Sequence, residues 1–94
     1  MNDKEEYRAK IEAQMASFNE TIEEITAKAE LSKEIRPDFH AKAKALVKKH
    51  EDAKAKLKEL EKSDENSWQK FQAELDKLVA DVNDDIRGAL AYFG

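Results

Sequence analysis

The 94-residue sequence contains no cysteine, one proline and two glycines. Without cysteine there is no disulfide framework, no thiolate chemistry and no cysteine-based metal site. The chain is therefore indifferent to redox compartment, and an intracellular setting fits it best.

The sequence also lacks a long apolar run. Its longest, residues 89–93, is far shorter than the roughly 20 residues of a membrane-spanning helix. The first ten residues, MNDKEEYRAK, are charged and have no apolar signal-peptide region. We expect a soluble, cytoplasmic protein with no integral membrane segment.

Motifs that carry chemistry are scarce as well. Because the only glycines are Gly88 and Gly94, phosphate loops, dinucleotide glycine motifs and the nucleophile elbow are absent. The stretch DVNDDIRGALAY, residues 81–92, starts like a calcium loop but has Ile86 at the glycine position and Tyr92 at the glutamate position. We predict no enzyme activity and no catalytic, cofactor-binding or metal-binding residue.

The two histidines do not change this prediction. The residues three before His40 and His50 are Pro37 and Val47, so the Glu-x-x-His pairs of di-iron bundles are missing. His50 lies on an apolar seam, where a hydrogen-bonded or partly exposed structural histidine is the usual finding. We interpret His40 as a surface residue.

What the sequence does contain is charge and helix formers. Charged residues make up 40% of the chain, and alanine, glutamate, lysine and leucine dominate, which is typical of long helices and coiled coils. This composition and length predict a single all-α domain over residues 1–94.

Apolar residues form three stripes with the alternating three- and four-residue steps of amphipathic helices. The expected helical segments are about 3–35, 37–62 and 64–93. The stripes are Tyr7, Ile11, Met15, Phe18, Ile22, Ile25; then Phe39, Ala43, Leu46, His50, Ala53, Leu57, Leu60; then Trp68, Phe71, Leu75, Leu78, Val82, Ile86, Ala89, Phe93. Val79 and Leu90 widen the third stripe, which is the best candidate to touch two partners.

The junction between the second and third stripes is a clear turn. Residues 62–67, KSDENS, cluster turn-favouring groups, and Ser63 or Asn66 can cap the next helix. Asp64 and Glu65 favour the positive end of that helix. The two segments are therefore antiparallel neighbours.

The junction at Pro37 allows two architectures. Proline is disfavoured inside a helix but welcome at its first position, which predicts an antiparallel three-helix bundle running up, down and up. However, alternating steps from Ile25 give Ala29, Ser32, Arg36 and Phe39, so the stripes stay in phase. The alternative is a long helix kinked at Pro37 plus a return helix, a dimeric coiled-coil hairpin. We favour the turn.

Charge is unevenly distributed along the chain. Residues 1–36 have six basic and nine acidic groups (net −3), residues 37–62 eight and five (net +3), and residues 63–94 three and seven (net −4). The simpler interpretation is a solvated lysine face, facing acidic neighbours. The alternative is a polyanion or lipid-surface site at residues 42–58. Nucleic-acid binding is disfavoured because that segment has no arginine.

The sequence resembles a family of small, poorly characterised bacterial coiled-coil proteins, some linked to stress responses. The resemblance lies in the amino-terminal heptad helix, in KAKLKELEKSDENSW, and in the amphipathic helix that Trp68 introduces. It implies a helical fold and offers no catalytic residues. The middle of these proteins often continues without proline, and Pro37 departs from that pattern.

These features together predict a non-enzymatic helical protein that acts through protein–protein contacts, as a stress-associated accessory or scaffold protein. A protein partner or self-association is expected. The hypothesis from another class is the binder of polyanions or lipid surfaces that uses the lysines of residues 42–58.

Overall fold

The computed structural model describes residues 3–64 and 66–93, with side chains as far as Ala91. It contains three helices: α1 (Asp3–Leu31), α2 (Pro37–Lys62) and α3 (Trp68–Phe93), with no strand in the described residues. They run up, down and up in a bundle of 50 × 17 × 16 Å. The prediction of an all-α three-helix bundle is confirmed.

The α1–α2 connection is a turn, with Pro37 as the first residue of α2. The amides of Ile35 and Arg36 donate to the Ser32 carbonyl, at 3.0 and 2.7 Å. Arg36 has non-helical angles (φ −132°, ψ 69°), while its carbonyl accepts from the His40 amide at 3.2 Å. The alternative of a helix continuing through Pro37 is therefore wrong, and the phase match across the proline does not reflect continuity.

The first helix ends at Leu31, before the expected bound of 35. Both the amide and the hydroxyl of Ser32 donate to the Lys28 carbonyl, at 3.1 and 2.8 Å. The side chain thus satisfies a terminal carbonyl, as serine and threonine commonly do near helix ends. The chain then has five residues, 32–36, in which to reverse before Pro37.

The third helix begins at Trp68, later than the expected bound of 64. The Asp64 carboxylate accepts hydrogen bonds from the Asn66 amide (3.0 Å) and the Ser67 hydroxyl (2.8 Å), and so forms the turn itself. Ser63 instead terminates α2, with its hydroxyl donating to the Leu60 carbonyl. Capping by Ser63 or Asn66 was therefore the wrong prediction. Glu65 lies outside the described residues.

The core follows the predicted stripes closely. All seven seam positions of α2 are buried, as are Trp68, Leu75, Val82, Ile86 and Ala89 of α3. Tyr7, Phe18, Phe71 and Leu78 are half-buried at the edge of the core. Leu90 is 47% exposed and does not widen the α3 stripe into the core. The side chain of Phe93 lies outside the described residues.

The helix that contacts both others most extensively is α2, rather than α3 as the stripe widths suggested. Its interface with α3 is the largest in the bundle, its interface with α1 is next, and the α1–α3 interface is the smallest. All seven seam positions of α2 are buried, and α2 lies between α1 and α3, which both contact it.

The turn geometry predicts the effect of replacing Pro37. We expect Pro37→Ala to lower the free energy of unfolding by about 0.5–1 kcal/mol, because the unfolded chain gains backbone freedom that the folded first helical position does not use. Chemical denaturation followed by circular dichroism measures this change. Light scattering should show an unchanged monomeric mass. A more stable, dimeric variant would contradict the turn and restore the kinked helix.

Candidate functional site

One end of the bundle, formed by the start of α1 and the α2–α3 turn, is tied together by polar contacts. The Lys4 ammonium donates to the carbonyls of Glu61 (3.0 Å) and Ser63 at the end of α2. These are carbonyls that a helix leaves without partners, and a cation there also suits the helix dipole.

Tyr7 strengthens the same end. Its ring lies 5.8 Å from the Trp68 ring, and its hydroxyl donates to the Asp76 carboxylate of α3. Burial, and then the hydrogen bond to Asp76, raise the pKa of Tyr7 well above its usual value. The phenol therefore stays protonated and continues to donate at physiological pH.

The opposite end is different, because it carries the exposed large apolar side chains. Within the described residues these are Leu31 (87% exposed), Ile35 (84%) and Leu90 (47%). Leu31 ends α1, Ile35 lies in the following turn and Leu90 lies near the end of α3, so the up-down-up order places all three at one end. We call these three residues the apolar end. An end of a bundle that carries several large exposed apolar side chains is a candidate contact site.

A groove of about 250 Å³ lies between α1 and α2, in the half of the bundle nearer the apolar end. We call this the α1–α2 groove; its lining residues are Thr26, Ala29, Glu30, His40, Ala43, Lys44 and Val47. The Nε2 atom of His40 lies 3.2 Å from Glu30 Oε2, and Lys33 lies 2.8 Å from the other oxygen of that carboxylate. Lys33 first, and then His40, lower the pKa of Glu30, so this rim of the groove carries a carboxylate. His40, predicted to be a surface residue, thus lies on the rim of the groove, where its ring is partly covered.

His50 is the buried polar residue of the core, at 3% exposure. On α2 it stands between Leu46, which belongs to one cluster of buried residues, and Ala53, which belongs to the other. The ring hydrogen-bonds to the Met15 backbone of α1, whereas Nε2 has no partner among the described residues. The hydrogen-bonded structural histidine predicted for this position is found, and it is fully buried.

The charge on His50 is set by this environment. Burial, and then the nearby Lys54, lower the pKa of His50 from its ordinary 6.5. The folded protein therefore holds the neutral ring, since a charged ring would sit in the apolar core with an unpaired nitrogen.

The lysines of α2 differ in whether they pair with α3. Lys49 pairs with Asp85 at 2.8 Å and Lys56 with Glu74 at 2.7 Å, both on α3. Within the described residues, no carboxylate lies within ion-pair distance of four other exposed lysines: Lys44, Lys48, Lys54 and Lys58. The predicted pairing with acidic neighbours thus holds for the side of α2 that faces α3.

The calcium-like stretch, residues 81–92, is part of α3, where Val82 and Ile86 are core residues and Asp85 pairs with Lys49.

The described residues contain no group of three or more histidine, aspartate or glutamate side chains that could hold a metal ion. Among the described helices, none combines the length and apolarity needed to cross a membrane.

Comparisons with models of protein families, with curated proteins and with solved structures found no match to this chain. The candidate surfaces are therefore those that the geometry defines: the apolar end, the α1–α2 groove and the exposed lysines of α2. Sequence patterns did not reveal the groove. Ala29 and Ala43, which make it possible, looked like ordinary members of the helix stripes.

The burial of His50 predicts a specific loss of stability in mild acid. Below pH 6.5 the unfolded chain binds a proton at His50, and the folded chain does not until the pH reaches its lower, folded pKa. The contribution of His50 is therefore fully present above pH 6.5 and is lost as the pH falls through that range. Urea denaturation at pH 7.5 and pH 5 should show a larger loss in the wild type than in His50→Leu.

The matched control is His40→Gln, which alters the partly covered histidine of the groove rim. This variant should keep the acid-dependent loss, because His50 is still present. If His50→Leu and the wild type lost stability equally between these two pH values, the buried neutral histidine would be contradicted.

Proposed function

We propose that this chain is a non-enzymatic helical-bundle protein that acts through protein–protein contacts. The observation that supports this proposal is the apolar end, since Leu31, Ile35 and Leu90 are each exposed at the same end of the bundle. The free energy gained on burying a large aliphatic side chain is about 1.5–3 kcal/mol when burial is complete. A complex with a partner that covers this end gains that free energy, whereas the isolated bundle does not.

The contrast between the two ends of the bundle supports the same proposal. At one end, Lys4 and Tyr7 hydrogen-bond to neighbouring helices and Asp64 stabilises the α2–α3 turn. The residues at the other end, Leu31 and Ile35, contribute little to the core because more than four-fifths of each is exposed. Their side chains are therefore free to serve a contact without cost to the fold.

A role as a stress-associated accessory or scaffold protein, acting in the cytoplasm, is the more specific form of this proposal. The resemblance of the sequence to bacterial coiled-coil proteins supports the stress association, and the lack of cysteine favours an intracellular setting. The exposed contact surface is compatible with either an accessory or a scaffold role.

The test of the proposal is the double variant Leu31→Ser/Ile35→Ser. Since both side chains are exposed, we expect the midpoint of thermal unfolding to change little. Cross-linking in cells that express the chain, followed by purification and mass spectrometry, should recover a defined partner with the wild type. Recovery should fall at least about tenfold with the double variant, which corresponds to about 1.4 kcal/mol of lost contact free energy.

A matched control is Ala9→Ser/Ala13→Ser, which changes two exposed residues nearer the other end of α1. This control should recover the partner as the wild type does. Equal recovery by the wild type and by Leu31→Ser/Ile35→Ser would remove the apolar end as a contact surface.

The second candidate function is binding of polyanions or anionic lipid surfaces by the lysines of residues 42–58. It is favoured by Lys44, Lys48, Lys54 and Lys58, which are exposed and have no ion-pair partner in the part of the chain that the structure describes. Opposing it, Glu51 and Asp52 interrupt this face and the whole chain has a net charge of −4. We therefore rank it second.

Heparin discriminates between the two candidates. Under the first proposal, heparin should not bind with micromolar affinity at 0.15 M salt. If it bound that tightly, with affinity falling steeply as salt rises, several lysine contacts would be displacing counterions. The second candidate would then replace the first, provided that Lys48→Glu/Lys58→Glu weakened the binding more than Lys70→Glu/Lys77→Glu on α3.

A further inference from the structure

The α1–α2 groove has an apolar floor that is built from small residues. Ala29 of α1 is 1% exposed and Ala43 of α2 is 3% exposed, so two short, buried side chains line the groove where larger ones would fill the space. Val47 forms the rest of the floor and packs against the core. Such a floor lets another backbone approach closely, because interaxial distances of packed helices depend on the side chains at the contact.

The edge of the groove on α2 is basic. Lys44 lines the groove directly. Steps of three and four residues along α2 then continue the same edge towards the other end of the bundle, through Val47, Glu51, Lys54 and Lys58. Lys44, Lys54 and Lys58 are exposed and have no carboxylate at ion-pair distance within the described residues.

The edge of the groove on α1 is acidic. Glu30 lines the groove, and the same periodicity places Glu23 and Glu12 along this edge. Each carboxylate already has a partner on its own helix: Lys33 for Glu30, Asn19 for Glu23 and Arg8 for Glu12. His40 of α2 joins this edge through Glu30.

The two charged edges therefore run side by side along the bundle, and the groove lies between them in the part that Glu30 and Lys44 line. The ion pairs of Lys49 and Lys56 go to α3, on the other side of α2. A helix that carries the complementary charges on its own two edges can pair with both of these edges at once. Such charge complementarity sets the orientation and selectivity of a contact.

We propose that the α1–α2 groove binds an amphipathic helix of a partner protein, which lies along the bundle as a fourth helix. Its apolar stripe rests on Ala29, Ala43 and Val47. Its acidic edge follows the lysines of α2, and its basic edge follows the glutamates of α1. Helix-in-groove recognition of this kind uses apolar anchors spaced by three and four residues. The inference rests on the proposed function, because it names the class of partner that such contacts serve.

A partner helix fits this groove better than a second copy of the chain does. Two copies placed groove to groove would bring together charged edges and few apolar side chains, since Val47 is the one large aliphatic residue that lines the groove. Stable homodimer interfaces are more apolar than this. A single helix, in contrast, adds its own apolar stripe and reaches the alanine floor.

The experiment uses two synthetic, alanine-rich helical peptides of 18 residues, about 27 Å long, with identical composition. Both carry the same leucine stripe. One has its glutamates on one edge and its lysines on the other, and the second has the same charges mixed between both edges. Mixed charges are the suitable comparison, because a peptide with exchanged edges could bind correctly by reversing its direction.

Each peptide is titrated into the purified full chain and followed by amide chemical shifts in nuclear magnetic resonance spectra. We expect the segregated peptide to bind at least about tenfold more tightly than the mixed one, with the largest shift changes at Thr26, Ala29, Ala43 and Val47. Lys44→Glu/Lys54→Glu should weaken it at least about tenfold, whereas Lys70→Glu/Lys77→Glu, with the same change in net charge, should weaken it less than about threefold.

Equal binding of the two peptides, or shift changes away from the groove, would overturn the inference. So would the absence of binding at peptide concentrations up to about 1 mM, which is the dissociation constant of very weak specific contacts. Dimerisation of the chain through the same residues would assign the groove to a second copy instead. Because the titration involves neither Leu31 nor Ile35, its failure would leave the apolar end, and with it the proposed function, to its own test.

Discussion

The burial of the α2 seam from both sides is the constraint on which the rest of the structure depends. All seven of its seam residues, from Phe39 to Leu60, are buried, and α1 and α3 both contact α2. The seam can be covered within one chain only if the backbone reverses before it and after it. The turns at residues 32–36 and 63–67 make those reversals, and Pro37 starts the buried helix at a position where its missing amide costs nothing.

This constraint also explains the asymmetry of the surface. With the apolar seam used internally, the large apolar side chains that stay exposed among the described residues are at one end, at Leu31, Ile35 and Leu90. The same packing determines where the charged side chains lie. Lys49 and Lys56 of α2 pair with carboxylates of α3, and another lysine edge of α2 lies beside the acidic edge of α1. The contact surfaces are thus what remains after the core and the α2–α3 interface are satisfied.

The fold was predictable from the sequence because its main determinant, a regular three- and four-residue spacing of apolar residues, is local. The helix ends were less predictable from the sequence. Ser32 and Asp64 fix them through side-chain hydrogen bonds, and serine and aspartate side chains could equally have capped a helix at another position. The groove could not be read from spacing alone. An alanine in a stripe reads as core, and whether it leaves a gap depends on the residue across from it, as with Ala29 and Ala43.

The central claim is that the α2 seam is covered by α1 and α3 of the same chain. Small-angle X-ray scattering coupled to light scattering tests it most directly, because it reports mass and length together. The account predicts a monomer of 10.8 kDa with a longest dimension near 50 Å. A dimer about 85 Å long or more, the length of a helix of roughly 58 residues, would contradict it.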